Sequence, residues 1–225
     1  MFHKSEGFTF IEMLLVLVLS AIVAVIALPN MGGWVSGVRA GNRAQQIANL
    51  LQYARGEAAR LNLPVYVCPA QIRVDGREQG QCRPENREQG MTAFADANLN
   101  TYYDDDRKDL SLRTVILNTD GTQGAEKKTG YRYQICSHGG GNCSDTDNVI
   151  WAYYPDGTFG YSSRNGGKSS FTFGGGYLRV VVSEAAGAED KASAARSAIV
   201  VVDSGGRAEV CAKADERAVC RYPDS

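Results

Sequence analysis

A single acidic side chain, Glu12, lies within a nearly continuous apolar run from Phe8 to Leu28. As an α-helix rising ~1.5 Å per residue, this run would span ~30 Å, which is the thickness of the hydrocarbon core of a bilayer. An ionisable group in such a segment is costly and normally has a partner, so it is a functional-site hypothesis. The pattern therefore predicts a membrane-spanning helix over residues 8–28 with a carboxylate that another group must neutralise.

The residues ahead of the apolar run do not form an ordinary secretory signal. In such a signal, a basic segment and an apolar segment of ~7–15 residues precede the cleavage site. Here the candidate cleavage site, Gly7–Phe8, comes before the apolar run, so processing would remove residues 1–7 and keep the helix. The order Gly–Phe–Thr–Phe–Ile–Glu, followed by a bilayer-length apolar run, resembles the leader of type IV prepilins and type II secretion pseudopilins.

This resemblance implies that a prepilin peptidase cuts after Gly7 and methylates the new amine of Phe8. Glu12 would then lie one helical turn beyond a cationic amine, whose ordinary pKa is ~7.7–8.0. In a stack of parallel helices, Glu12 of one subunit can neutralise the amine of a neighbour. A missing partner would cost ~3–5 kcal/mol in a low-dielectric core. A plain membrane anchor is the alternative, but it has no need of Glu12.

Six cysteines follow the apolar run, and they fall into three pairs of sequence neighbours. An even number of cysteines in an exported domain indicates disulfides. Fifteen connectivities are possible, and the sequence does not select one; we favour neighbour pairing because each disulfide then closes a local loop. A zinc site is disfavoured, because there is no Cys-x-x-Cys and His138 is the one histidine beyond the leader. The favoured pairs are Cys68–Cys82, Cys136–Cys143 and Cys211–Cys220.

Charge and motif content exclude several function classes for residues 30–225. This part contains 23 basic and 23 acidic side chains, since the chain totals of 24 and 25 include Lys4, Glu6 and Glu12. It therefore lacks the basic excess of a typical nucleic-acid-binding domain. No nucleophile–base motif and no phosphate-binding glycine loop is present, so we predict no enzyme, cofactor or metal.

Residues 29–63 have the pattern of an amphipathic helix that packs on a sheet. Several glycines, poor helix formers, lie at its start and predict a weak middle of one long N-terminal helix, and Pro64 ends it. Residues 64–225 predict one β-rich domain, giving an α+β fold of a long helix on an antiparallel sheet. The apolar stripe consists of Ala44, Ile47, Leu51, Ala54, Ala58 and Leu61, and the predicted strands are Val65–Cys68, Leu110–Leu117, Tyr131–Cys136, Val149–Tyr154, Thr158–Tyr161, Phe171–Phe173, Tyr177–Ser183, Ser197–Asp203 and Ala208–Cys211.

Several stretches of the soluble part resemble GspH/FimT-type minor pilins. The segment 49–68 is similar to the helix-to-first-strand region of that family, and three later landmarks, 94–100, 156–159 and 204–207, are similar too. The resemblance is strongest over residues 7–68. The composition and the neisserial-type six-cysteine layout favour a type IV pilus protein over a secretion pseudopilin.

The resemblance implies a pilin-like fold and a scarce subunit that primes pilus assembly in the inner membrane, with its C-terminal domain in the periplasm. Such a subunit is then incorporated in or near the tip of the extracellular filament. Its implied partners are the prepilin peptidase, the inner-membrane assembly platform, other minor pilins and the major pilin. Because outermost tip subunits tend to lack the carboxylate, Glu12 implies a position just inside the tip. A type II secretion pseudopilin is the nearest alternative.

Some members of this family bind DNA through a late Gly–Arg–x–Arg element. Here the matching residues are Gly206, Arg207, Ala208 and Glu209, so a carboxylate stands where the second arginine is expected. A phosphate contact gains from cations and loses from a carboxylate. Arg207 is thus a candidate DNA contact, but a solvated turn residue is the favoured interpretation.

A second candidate binding element is an alternating run of oxygen-bearing side chains at Asp96, Asn98 and Asn100, followed by further aspartates. Alternating oxygen ligands are typical of Ca²⁺ loops. However, such a loop needs glycine at its sixth position and glutamate at its twelfth, where this chain has Thr101 and Arg107. We therefore predict a solvated acidic turn and no metal site.

Overall fold

The computed structural model describes residues 9–73, 75–79, 82–103, 109–118, 129–184 and 195–222, and within residues 26–32 it describes the backbone alone. The predicted cleavage site, Gly7–Phe8, lies outside the described residues, and so do three aspartates, Asp104–Asp106.

One long helix, α1, extends from Phe10 to Leu61. Thr9 is its N-cap, and Asn62 ends it in the left-handed conformation, two residues before the predicted end at Leu63. Asparagine is among the few residues that adopt this conformation readily, which explains the earlier end. The backbone is helical through Pro29, so the predicted weak middle is continuous helix in this structure.

The N-terminal half of α1 is exposed along its described length. Every side chain from Phe10 to Val25 is exposed, and all are large and apolar except Glu12, Ser20, Ala21 and Ala24. No helix among the described residues combines the length and hydropathy needed to cross a membrane. Phe8 and the side chains of residues 26–28, which belong to the predicted span, are outside the described residues.

The β-strands form two main sheets, whereas we predicted one. The first has the order β10-β9-β8-β1-β4-β5, the second has the order β13-β12-β11-β6-β7, and β2 and β3 form a separate hairpin. All pairings are antiparallel. The strands are β1 Val65–Pro69, β2 Gln71–Ile72, β3 Glu78–Gln79, β4 Gly90–Ala95, β5 Leu110–Ile116, β6 Thr129–Cys136, β7 Cys143–Asp145, β8 Ile150–Tyr153, β9 Phe159–Ser162, β10 Thr172–Phe173, β11 Tyr177–Glu184, β12 Ser197–Val202 and β13 Ala208–Val210.

The inner faces of both sheets share one apolar core with α1. The predicted helix stripe is buried from Ala44 to Ala58, and Leu61 is half-buried at the end of the helix. Trp151 and Leu178 illustrate the two sheets, because they come from different sheets and belong to the same cluster. Aromatic side chains cover the outer face of the first sheet, while the C-terminal segment 211–222 covers that of the second. The predicted α+β architecture is therefore confirmed, with two sheets in place of one.

Glycines bring the connection between β11 and β12 against α1. A Cβ built on Gly37 would lie 2.5 Å from the carbonyl oxygen of Ala195, so no side chain fits there. A Cβ on Gly33 would lie 3.7 Å from Nε of Arg196, whereas one on Gly41 would meet nothing within 4 Å. The glycines that predict a weak helix therefore differ in role, and Gly37 permits a close backbone contact.

Candidate assembly site and predicted binding elements

The carboxylate of Glu12 closes a capping box at the start of α1. The Thr9 N–H donates to Oε2 of Glu12 at 3.2 Å, and the Thr9 hydroxyl lies 3.3 Å from the same oxygen. In return, the Glu12 N–H donates to Oγ1 of Thr9 at 3.3 Å. These contacts satisfy two of the backbone donors that every helix N-terminus leaves unpaired. In the isolated chain, Glu12 therefore has a local structural partner.

This capping role was missing from our interpretation of the sequence, although its signal is present. Thr9 and Glu12 are three residues apart ahead of an apolar run, which is the Ser/Thr-x-x-Glu pattern of a capping box. The resemblance to prepilins implies a partner amine as the one role of Glu12. The two roles are compatible because a carboxylate has several acceptor positions.

All six cysteines form disulfides, and the pairs are the sequence neighbours. The first disulfide joins β1 to the segment after the β2–β3 hairpin, and the second closes the turn between β6 and β7, where His138 is exposed. The third closes the C-terminal segment on the outer face of the second sheet. The pairs are Cys68–Cys82, Cys136–Cys143 and Cys211–Cys220.

A group of Cys211, Asp215 and Cys220 is close enough in space to suggest a metal site. Both cysteines are in the same disulfide, so neither can supply the thiolate that a metal would need. Among the described residues, no other group of this kind occurs.

The Gly206–Arg207 element forms the turn between β12 and β13. Gly206 has a φ of 75°, and a Cβ there would lie 2.6 Å from the ring of Tyr153, so both conformation and packing require glycine. Arg207 is exposed, and its backbone N–H donates to Oδ1 of Asp203 at 2.9 Å. The glycine is thus explained by its backbone conformation and its packing, and the arginine side chain is a solvated cation.

Glu209, which stands at the second arginine position, is paired with Arg217 at 2.5 Å. Arg217 also pairs with Asp215 at 2.7 Å, and these two carboxylates raise the pKa of the guanidinium. Hydrogen bonds from Arg217 likewise hold the pKa of Asp215 below its ordinary value. With Arg207 added, this surface has two cations and two anions, which gives no net positive charge for a nucleic-acid backbone.

The oxygens of the Asp96 loop are engaged by the loop's own backbone. Asp96 is fully buried and accepts from the N–H groups of Asn100 at 3.1 Å and Thr101 at 2.8 Å. Oδ1 of Asn98 accepts from the same Asn100 N–H, and Oδ1 of Asn100 accepts from the Tyr102 N–H. Burial raises the pKa of Asp96, against the effect of these hydrogen bonds. The geometry is that of consecutive side-chain turns, as expected for a structural loop.

These features together define a class of protein: a subunit with a long helix, apolar in its first half and amphipathic in its second, on antiparallel sheets, as in type IV pilins and pseudopilins. Two family models that match the sequence support this class. The family described as "Type II transport protein GspH" matches residues 43–206, and the "Prokaryotic N-terminal methylation motif" matches residues 2–28. The chain belongs to the GspH family, which confirms the resemblance stated from the sequence.

The chain is also similar to solved structures of low sequence identity. The type IV minor pilin FimU of Pseudomonas aeruginosa has 11% identity and a TM-score of 0.41, covering 80% of this chain and 95% of that one. The minor pseudopilin EpsH of the type 2 secretion system of Vibrio cholerae has 9% identity and a TM-score of 0.39, covering 78% and 98%. A search of curated proteins finds no match.

Proposed function

We propose that this protein is a minor pilin of a type IV pilus, with no enzymatic activity, that primes pilus assembly and is incorporated in or near the filament tip. The observation that supports the proposal is the exposure of apolar side chains all round the first half of α1. From Phe10 to Val25 its described side chains are exposed all round and Glu12 is the one charged group. A helix that is apolar on every side needs a membrane or neighbouring helices to cover it. Membrane insertion followed by helix packing in a filament supplies both.

We propose that the chain is processed and assembled in two stages. A prepilin peptidase first removes residues 1–7 and methylates Phe8, and residues 8–28 hold the subunit in the inner membrane as a single span. Residues 29–63 continue as the amphipathic helix, and residues 64–225 form the periplasmic domain. The assembly platform then moves the subunit into a filament beside other minor pilins and the major pilin.

A pseudopilin of type II secretion is the second candidate, and the match to the family described as "Type II transport protein GspH" favours it. Deletion of the gene separates the two candidates when surface pili and protein secretion are scored in the same strain. Loss of pili that returns when retraction is disabled supports the priming role. A secretion defect with normal piliation supports the pseudopilin and contradicts our proposal. DNA uptake, scored alongside, would fail alone if the protein were a DNA-binding pilin.

Two substitutions at Glu12 test the assembly role. Glu12→Val removes both the capping box and the charge, whereas Glu12→Gln keeps a residue that can close the box and removes the charge. If the carboxylate neutralises a neighbour's amine, both variants should insert in the membrane normally and be depleted from sheared filaments. Filament levels restored by glutamine would show that the cap, and not the charge, is what assembly needs.

A further inference from the structure

The two tryptophans of the chain have opposite environments. Trp151 is fully buried in the core, and its indole N–H donates to the carbonyl oxygen of Asn148 at 3.1 Å. Trp34, on α1, is 68% exposed, and Val38, one turn further on, is also exposed. An exposed indole is unusual where the same helix buries its small side chains a few residues later, from Ala40 onward. The indole of Trp34 is therefore accessible to a surface outside the chain.

Two cations lie near this part of α1, on different sides of the helix. The glycine contacts described above place the Arg196 guanidinium beside Gly33, the residue before Trp34. Arg39 is exposed and lies two residues after Gly37. At ~100° per residue, it is therefore on the side of α1 opposite the Ala195 contact. Within the part of the chain that the structure describes, the side chains of Arg39 and Arg196 form no ion pair and no hydrogen bond.

The charge of this part of the helix has one sign. Between Met13 and Gly56 the sequence contains no aspartate or glutamate. Arg43, the next arginine after Arg39, donates to the carbonyl oxygen of Ile116 at 2.7 Å and thereby ties α1 to β5. Arg39 and Arg196 are thus left as unpaired positive charge beyond the C-terminal end of the apolar run.

We propose that Trp34, Arg39 and Arg196 form a collar that binds the phosphate groups of anionic lipids at the membrane surface; this inference rests on the membrane anchoring proposed above. Trp34 lies six residues beyond the end of the apolar run at Leu28, which is ~9 Å along the helix. The headgroup region extends ~5–8 Å beyond the hydrocarbon core on each side. Side chains of an α-helix lean toward its N-terminus, so the indole lies nearer the membrane than the Cα of Trp34 and reaches the headgroup level, where tryptophan is enriched in membrane proteins. Arg196, beside Gly33, lies at a similar level, and its side chain can reach lipid phosphates while its alkyl stem stays on apolar surface. Arg39 lies five residues beyond Trp34, ~7.5 Å further from the membrane, so it meets phosphates only at the outer edge of the headgroup region.

The collar would fix the height and orientation of the periplasmic domain before assembly. Arg196 belongs to the domain and Arg39 to the helix, so lipid phosphates bound to both would hold the domain close to the membrane. A neighbouring subunit of the filament is the other surface that could cover Trp34. The experiment below separates the two. The vesicles contain no other protein, so quenching that depends on the charge of the lipid headgroup identifies the lipid as the bound partner.

The test uses the full chain in lipid vesicles, with tryptophan quenching by brominated lipids. Two preparations contain the same mole fractions of phosphatidylglycerol and phosphatidylcholine, and differ in which of the two is brominated. Since Trp151 is buried in the domain, quenching should come from Trp34, and Trp34→Phe should abolish it. We expect stronger quenching when the brominated lipid is phosphatidylglycerol, with a local enrichment of up to about fivefold per arginine. At 0.5 M salt, where charges are screened beyond ~4 Å, this preference should disappear.

Matched variants identify the cations. Arg196→Gln and Arg39→Gln should each reduce the preference for phosphatidylglycerol, and the double variant should remove it. Arg207→Gln is the control, because Arg207 is far from the collar. The next residue, Ala208, accepts a hydrogen bond from Gln52 at 2.8 Å, and Gln52 is ~27 Å along α1 from Trp34. Unchanged Trp151 emission in the Trp34→Phe background shows that each variant is folded.

Two further outcomes would overturn the inference in distinguishable ways. If the protein floats with the vesicles and Trp34 is unquenched, or is quenched equally by both lipids, the collar is wrong and the anchoring stands. If the protein does not float with vesicles at all, the proposed anchoring fails and the collar fails with it.

Discussion

The two glycines Gly37 and Gly41 allow a matched test of how the globular part packs on α1. Each substitution by alanine improves helix propensity by ~1 kcal/mol in the helix interior. At Gly41 the new methyl group meets nothing within 4 Å, so Gly41→Ala should stabilise the protein by that amount. At Gly37 the methyl carbon would lie 2.5 Å from the carbonyl oxygen of Ala195, which is backbone and must move. Such overpacking costs ~1–3 kcal/mol.

The net effect of Gly37→Ala should therefore lie between no change and a loss of ~2 kcal/mol, while Gly41→Ala should be a gain. A difference of ~2 kcal/mol between the variants corresponds to ~4–8 °C in melting temperature for a domain of this size. Thermal unfolding of the full chain in detergent measures it, with circular dichroism for the helix and Trp151 emission for the core. If Gly37→Ala raised the melting temperature as much as Gly41→Ala, the close contact between α1 and the β11–β12 connection would be refuted.

Three further predictions concern the C-terminal part of the domain. Gly206→Ala should destabilise the protein by at least ~2 kcal/mol, because it combines left-handed strain with a clash against an aromatic ring, whereas the same change at the preceding glycine should be nearly neutral in a urea titration. Replacing both Cys211 and Cys220 by serine should cost ~2.5 kcal/mol, the loop-closure value for a loop of this length, and a reducing agent should then produce no further loss at this loop. The lowered pKa of Asp215 contributes stability above its unfolded pKa of ~3.9 that is lost as the pH falls; unfolding at pH 7 and pH 3 should show a smaller acid-induced loss for Arg217→Gln than for the unmodified protein.

The elements that the sequence predicts correctly are those whose pattern reflects burial directly. The stripe from Ala44 to Ala58 is periodic because one face of α1 enters the core, and it is buried as expected. Strands such as β11 and β12 are rich in valine and bounded by turn residues, so their composition carries the signal. The turn at Pro155–Gly157 joins β8 to β9 as a hairpin, and proline, aspartate and glycine are typical turn residues.

The elements that the sequence does not predict depend on contacts between distant segments. Strand β4, Gly90–Ala95, contains glycine and alanine, which have low strand propensity, yet it is fully buried between β1 and β5. Strand β7 is three residues long, and a disulfide joins its first residue to β6. The division into two sheets also cannot be predicted from local sequence, because the sequence of one strand does not specify which sheet that strand joins. Among the candidate binding elements, the pairing of Glu209 with Arg217 joins residues from β13 and the C-terminal segment, and only the folded chain shows it.

The capping box at Glu12 also limits when the proposed pairing with a neighbour's amine can form. In the isolated chain the carboxylate contributes to a helix cap worth ~1 kcal/mol at an exposed helix end, where an ion pair with a free amine would add little. In a packed bundle of apolar helices the balance reverses, because an unpaired buried charge costs ~3–5 kcal/mol. On the proposed function, the filament therefore favours the pairing more than the free subunit does. Glu12 then gains net free energy from the neighbour's amine only after the helices have packed. This would let the subunit stay free in the membrane and bind firmly at assembly.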